Sequence, residues 1–201
     1  MALGLCVCLV GYLLGSIPTA VMVSHRFYHV DIRTLGDGNP GARNVTRNLG
    51  LKAGLLVALA DGLKGCLAVL LARSFELGLG WQAAVGFAAV LGHDFSIFLR
   101  FQGGEGFATA CGTLVAIMPI PTFWGLATYG ALYLVTRQPD ISASVGMALQ
   151  AFILWLTGQP ILLMMYFVAV MVSVPIKKVL RLAIQRQAKI EVVRKSTKPP
   201  L

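Results

Sequence analysis

Two stretches of this sequence gather groups that bind anions. The first reads Asp37-Gly38-Asn39-Pro40-Gly41-Ala42-Arg43-Asn44-Val45-Thr46-Arg47. Gly38 and Gly41 let the chain turn and let backbone N–H groups come close to a ligand. Asn39 and Asn44 add amide donors, and Arg43 and Arg47 add guanidinium forks that match phosphate oxygens. The two arginines are four apart, so a helix would put them on one face. A helix beginning near Gly41 would also turn its N-terminus toward an anion. The second stretch runs from Gly92 to Thr109. In it Gly103, Gly104 and Gly106 fall within four positions just ahead of an apolar run, again the makings of a phosphate cradle, with Glu105 between them. His93 closes an apolar segment, where an imidazole can pass a proton or hold a polar group. The same residues also fit plainer roles: arginines and a histidine meeting lipid headgroups, and glycines packing helices.

A third feature is Asp61 with Lys64, at i and i+3 inside an apolar run. Ionisable groups at membrane depth are costly and either pair with each other or face a polar cavity. The spacing fits a structural ion pair, and it equally fits Lys64 as part of a wall that receives an anion.

The elements that hold these residues are apolar runs of membrane-spanning length, about 20 residues each. The pattern predicts spans at Ala2–Val23, Lys52–Ala72 and Trp81–Leu99, then a short piece Phe107–Met118 broken by Pro119 and Pro121. Thr122–Thr136, Ser142–Leu156 and Ile161–Ile176 follow. The first run lacks the basic start and cleavage site of a signal peptide, so it reads as a retained helix. The fold class is an all-α polytopic membrane protein with about seven transmembrane helices, some short or re-entrant. The domain organisation is a single integral-membrane domain over 1–176 and a basic juxtamembrane tail over 177–201, expected to lie amphipathically on the membrane surface.

Composition agrees. Hydrophobic residues make up 57% of the 201-residue chain and charged residues 12%. A soluble domain carries about 25% charged residues, so neither a soluble globule nor a disordered chain is compatible. Long continuous runs also exclude a membrane β-barrel. The net charge of +9 does not indicate nucleic acid here, because the basic residues flank the spans. With the N-terminus outside, fifteen of the seventeen Lys and Arg fall in inner segments, and Lys64 and Arg73 are the two that do not. That distribution predicts a cytoplasmic C-terminus and two cytoplasmic glycine-rich loops. The four cysteines, Cys6, Cys8, Cys66 and Cys111, sit in apolar runs without histidines at ligand spacing, so no metal site is expected.

The motifs occur in a specific order. They are Gly15-Ser16-Ile17-Pro18-Thr19-Ala20, then Gly38-Asn39-Pro40-Gly41-Ala42 with Asn44, Val45 and Arg47, then Asp61 with Lys64-Gly65. The last is Gly92-His93 with Phe95, Phe98-Leu99, Phe101, Gly103-Gly104, Gly106 and Ala108-Thr109. In that order they resemble the bacterial membrane-bound acyl-phosphate:glycerol-3-phosphate acyltransferase family, strongly over roughly the first 115 residues and by hydropathy beyond. The resemblance implies a seven-helix fold in the bacterial inner membrane. It implies transfer of an acyl chain from acyl phosphate to the 1-hydroxyl of glycerol 3-phosphate, giving lysophosphatidic acid. Neither a cofactor, acyl-CoA nor an acyl-carrier protein is implied. Catalytic contacts then fall on His93, Arg47 and Asn44. Substrate contacts fall on Gly38, Asn39, Gly41, Arg43, Gly103, Gly104, Glu105, Gly106, Lys64 and Ser142, the last matching a substrate-contacting serine. The implied partners are acyl phosphate, glycerol 3-phosphate and the lipid bilayer, and no sequence feature sets the oligomeric state.

The chain departs from the family pattern at named places. Asp37 stands where the family carries Ser, Glu105 where it carries Lys, and Pro175 and Lys178 where its third motif carries His and Asn, leaving Arg181-Leu182 in register. Two unit charges 4 Å apart interact by about 4 kcal/mol at an effective dielectric of 20. A Glu beside a phosphate therefore opposes binding unless it is protonated, turned away, or paired with Arg43 or Arg47. An active acyltransferase is thus one reading. A catalytically impaired relative that binds a lipid or phosphate ligand is a second, and an acyltransferase for a different acceptor is a third. A small transporter is disfavoured by the lack of an inverted repeat.

Overall fold

The structure, a computed structural model, describes residues 1–196, with side chains throughout except at 184–185 and 188–196. Nine α-helices run through these residues: α1 Ala2–Ser16, α2 Thr19–Tyr28, α3 Ala42–Leu49, α4 Leu51–Ser74, α5 Leu79–Asp94, α6 Phe107–Ile117, α7 Pro119–Thr136, α8 Pro139–Leu156 and α9 Ile161–Ser196. Two single 3-10 turns, Ile32–Thr34 and Ile97–Leu99, lie in the loops, and no strand occurs among the described residues.

Five segments are long and apolar enough to cross a membrane: Ala2–Tyr28, Leu51–Ser74, Leu79–Leu99, Pro139–Leu156 and Ile161–Ala183. The short piece expected after the glycine loop is α6. Its 11 residues cover about 17 Å at 1.5 Å per residue, against a hydrocarbon core of about 30 Å.

Several boundaries move, each for a local reason. The first span breaks into α1 and α2 at Ile17-Pro18 and continues to Tyr28 instead of ending at Val23. Proline lacks an N–H and pushes the residue before it out of the helical region, and Ile17 sits at φ −55°, ψ 120°. The run expected to resume at Thr122 starts at Pro119, and the run expected at Ser142 starts at Pro139. In both cases the proline occupies the first helical position, where its fixed φ and missing N–H cost nothing. The last helix does not end at Ile176: α9 contains Pro175 and continues to Ser196. Positions 197–201 of the expected tail, and the side chains of Lys189, Arg194 and Lys195, lie outside the described residues.

The packing is that of a membrane bundle. On α4 the buried face carries Ala53, Gly54, Val57, Asp61, Lys64, Gly65, Ala68 and Val69, all small or polar apart from the valines. The outer face carries Leu55, Leu59, Leu63, Leu67 and Leu70, all exposed. Lipid tails are as apolar as leucine, so large apolar groups gain nothing by turning inward, and small residues let helices approach. The α1–α5 seam shows the result: a Cβ on Gly15 would strike the Ala89 carbonyl, and one on Gly92 would strike the Tyr12 carbonyl. Cys6 lies on the exposed surface.

Polar contacts collect at one end of the bundle. The loop before α3, the loop before α6, the start of α8 and the Lys177–Arg181 stretch of α9 all meet there. Asp31 opens that end by accepting from the Arg33 backbone N–H and guanidinium. The guanidinium holds the Asp31 carboxyl down at about 2, and the pair in turn raises Arg33. At the opposite end Arg73 donates to the Ala116 carbonyl over 2.7 Å, a cation on the last turn of α6 where the helix dipole favours it.

Candidate active site between the two glycine-rich loops

α3 begins at Ala42 with Gly41 as its N-cap, as the motif predicts. Asn44, buried in its first turn, is used by the loop itself. Its amide donates to the carbonyls of Ile32 (3.1 Å) and Leu35 (3.0 Å). Its oxygen accepts from the Asp37 N–H (3.3 Å) and the Asn48 side chain (2.8 Å). Both donors and both lone pairs are thereby used, so Asn44 shapes the loop and has no capacity left for a substrate in this conformation. Asn39 differs. It is 4% exposed, and its side-chain oxygen is buried with no hydrogen-bond partner.

Four of the five glycine amides expected to cradle an anion are used within the loops themselves. The N–H groups of Gly38, Gly41, Gly103 and Gly104 donate to the carbonyls of Leu35, Asn39, Asp94 and His93. Buried backbone donors must be satisfied, and these tight loops satisfy them internally. The glycines of the second loop serve close approach instead. A Cβ on Gly104 would collide with the His93 imidazole, and one on Gly106 with the Asp94 carboxylate. Gly106 also adopts φ +71° as the N-cap of α6, a conformation for which glycine is the natural residue.

The centre of the site is a buried cluster from three helices. Asp61 of α4 accepts from Lys64 (2.7 Å) and from Thr19 at the start of α2 (2.5 Å). His93, at the end of α5, brings Nδ1 to 3.4 Å from the same carboxylate oxygen. Lys64 donates to the Ile17 carbonyl over 2.9 Å, an acceptor it shares with the Thr19 N–H where Pro18 breaks the first span. The ion pair is therefore formed, and Lys64 also lines a cleft. Thr19, Pro40, Lys64, His93, Ser96 and Gly104 line one small cleft.

Around this cleft the arginines divide. Arg43 forms a two-pronged contact with Asp140 at the start of α8, at 2.9 and 3.3 Å, and Lys178 of α9 reaches the same carboxylate at 3.2 Å. Arg47 is the most open cation of the α3 pair, 56% exposed and 4.0 Å from Asp37. Glu105 pairs with neither. It accepts from Arg181 of α9 over 2.6 Å, while the same guanidinium donates to the Asp37 carbonyl over 2.9 Å. Ser142 is fully buried, yet it bonds within its own turn, to the Gln138 carbonyl and beside Thr136.

Sequence reasoning thus missed Thr19, Asp140 and Lys178 and left Arg181 unassigned. The signal for Thr19 was its place directly after Pro18, where an unravelled turn exposes a carbonyl and a hydroxyl. For Lys178 and Arg181 it was their i, i+3 spacing on a helix emerging from a span.

Residues 5–185 match the family described as glycerol-3-phosphate acyltransferase. The chain belongs to that family. The glycerol-3-phosphate acyltransferase of Rubrobacter xylanophilus is 42% identical over 160 residues, covering 80% of each chain. A crystal structure of an integral membrane glycerol 3-phosphate acyltransferase in its glycerol 3-phosphate form superposes with a TM-score of 0.78 at 28% identity, over 98% of this chain and 95% of that one. A second structure, of the lysophosphatidic acid form, gives 0.77 at 30% identity over 91% and 93%. The match to this acyltransferase family reaches residue 185, within α9, beyond the motifs of the first half.

Proposed function

We propose that this chain transfers a fatty acyl group from acyl phosphate to the 1-hydroxyl of glycerol 3-phosphate, the step that gives lysophosphatidic acid in phospholipid synthesis. The observation that carries the reading is the cleft lined by Lys64, His93 and Gly104, and Arg47 is the more open of the two arginines of the first loop motif. The hydroxyl oxygen attacks the acyl carbonyl, the C–O bond of the mixed anhydride breaks, and phosphate leaves. The hydroxyl proton passes to an oxygen of the departing phosphate, so the substrate serves as its own base and the products are an ester and hydrogen phosphate. Asp61 holds His93 by Nδ1, which turns Nε2 toward Gly104 and the reacting oxygens. Lys64 supplies positive charge where the carbonyl oxygen and phosphate become more negative, inside a low-dielectric site where such charge acts strongly. Arg47 anchors a phosphate from the open side by a charge-assisted fork.

The reaction belongs on the inner face of a bacterial cell membrane, with the N-terminus outside and the C-terminus in the cytoplasm, since both substrates carry phosphate and the basic segments gather at the site's end. Purified protein given acyl phosphate and radiolabelled glycerol 3-phosphate should form lysophosphatidic acid and release one phosphate per ester. Phosphate release without labelled lipid would indicate hydrolysis and sink the acceptor assignment.

A further inference from the structure

We propose that Arg181 is a phosphate-reading cation of this site and that Glu105 is its built-in counter-ion, which a phosphomonoester must displace in order to bind. The inference rests on the acyltransferase reading for its substrate and adds how that substrate is admitted. Arg181 comes from α9, and its partners Asp37 and Glu105 lie 144 and 76 residues away in the chain. One guanidinium nitrogen holds Glu105 at 2.6 Å, and the other reaches the Asp37 carbonyl at 2.9 Å and its carboxylate at 3.5 Å. The side chains of Arg181 and Glu105 are only 15% and 16% exposed, so the pair is shielded from solvent. The third guanidinium nitrogen, Nε, is buried without a hydrogen-bond partner. One donor of a planar fork is thus idle at the place where both loops converge.

Glu105 is well placed to yield. It is preceded by Gly104, which lies against the His93 ring, and followed by Gly106, which begins α6. A carboxylate and a phosphate dianion compete for the same guanidinium, and phosphate brings more charge and more acceptor oxygens. Until a phosphate binds, Glu105 keeps Arg181 from being a shielded, uncompensated cation, a state that is strongly unfavourable. The consequence is reduced affinity: every phosphomonoester must first break the Arg181–Glu105 pair. Glu105→Gln keeps the shape and one acceptor oxygen and removes the competing charge. Glu105→Lys is a poorer probe, because it sets an ammonium beside the guanidinium.

The test is equilibrium binding of glycerol 3-phosphate, measured by titration calorimetry on detergent-purified wild type, E105Q, R181Q and the double variant. E105Q should bind about 10-fold tighter than wild type, and the gain should vanish in E105Q/R181Q, as coupling within a contact pair requires. If R181Q does not fold, R181K replaces it; keeping the charge but not the fork, it should lose most of the gain. Unchanged or weaker binding by E105Q, or a gain that persists without Arg181, overturns the proposal. Acyl transfer by wild type is assayed in parallel. Tighter binding by E105Q with no transfer by wild type would sink the acyltransferase reading and leave this inference standing. Transfer by wild type with no change in E105Q would do the reverse.

Discussion

Asn44 and Arg47 lie three residues apart on α3, and the structure gives them different surroundings. Asn44 is 1% exposed and makes four contacts that hold the loop to Ile32, Leu35, Asp37 and Asn48. Arg47 projects from the surface and touches only the edge of Asp37. Asn44→Ala should therefore destabilise the protein by about 2–4 kcal/mol, since several buried backbone groups lose a partner at about 1–3 kcal/mol each. Arg47→Ala should leave the melting temperature within about a degree while abolishing acyl transfer, and Arg47→Lys should raise KM or lower kcat because the fork is lost. Thermal melts in detergent, paired with the transfer assay, check both halves; a stable, inactive Asn44→Ala would reverse the assignment. His93, Asp61 and Lys64 were legible in the sequence because ionisable groups in apolar runs stand out. The partners of Glu105 were not, because the pairing that neutralises it joins residues 76 apart through a fold whose α9 continues where hydropathy ends. Asn44 looked like a ligand-binding amide for a related reason. Its type and its place in a motif are visible in the sequence, and the four groups that use it up are not.

At the scale of helices, the proline positions tell most. Pro18 divides the first span, and the Ile17 carbonyl and Thr19 hydroxyl become part of the cluster on α4. The buried carboxylate therefore joins α2, α4 and α5. Removing one partner of a buried ion pair costs about 3–5 kcal/mol, whereas replacing both with apolar groups is often close to neutral. Asp61→Asn should thus lower stability markedly, and Asp61→Leu/Lys64→Met should recover most of it while leaving acyl transfer lost. Chemical denaturation and turnover on the same preparations separate the two effects. Full activity in the stable double variant would remove the pair from the chemistry. The five segments long and apolar enough to cross were readable from hydropathy, because length and apolarity are enough for that. Helix starts were misplaced by three residues at Pro119 and Pro139, since a proline breaks a helix from inside and begins one from its first position.

Taken as a whole molecule, the bundle separates its two ends by chemistry. One carries both glycine-rich loops and the contacts of Arg43, Lys178 and Arg181; the other carries Arg73 closing α6. The basic segments that the charge pattern assigns to the inner side meet at the first end. In a variant with the four native cysteines replaced, single cysteines at Asn48 and Gln102 should react with a membrane-impermeant thiol reagent only after the inner face is opened to it. Labelling of either from intact cells would invert the topology. One comparison is decisive: the initial rate of lysophosphatidic acid formation from acyl phosphate and glycerol 3-phosphate by wild type and by His93→Gln. Wild type should form the ester, and His93→Gln should melt normally and lose about 100-fold or more in rate, the size expected on removing a polar group aimed at the reacting oxygens. No ester from wild type, or full activity in His93→Gln, would contradict the acyltransferase reading.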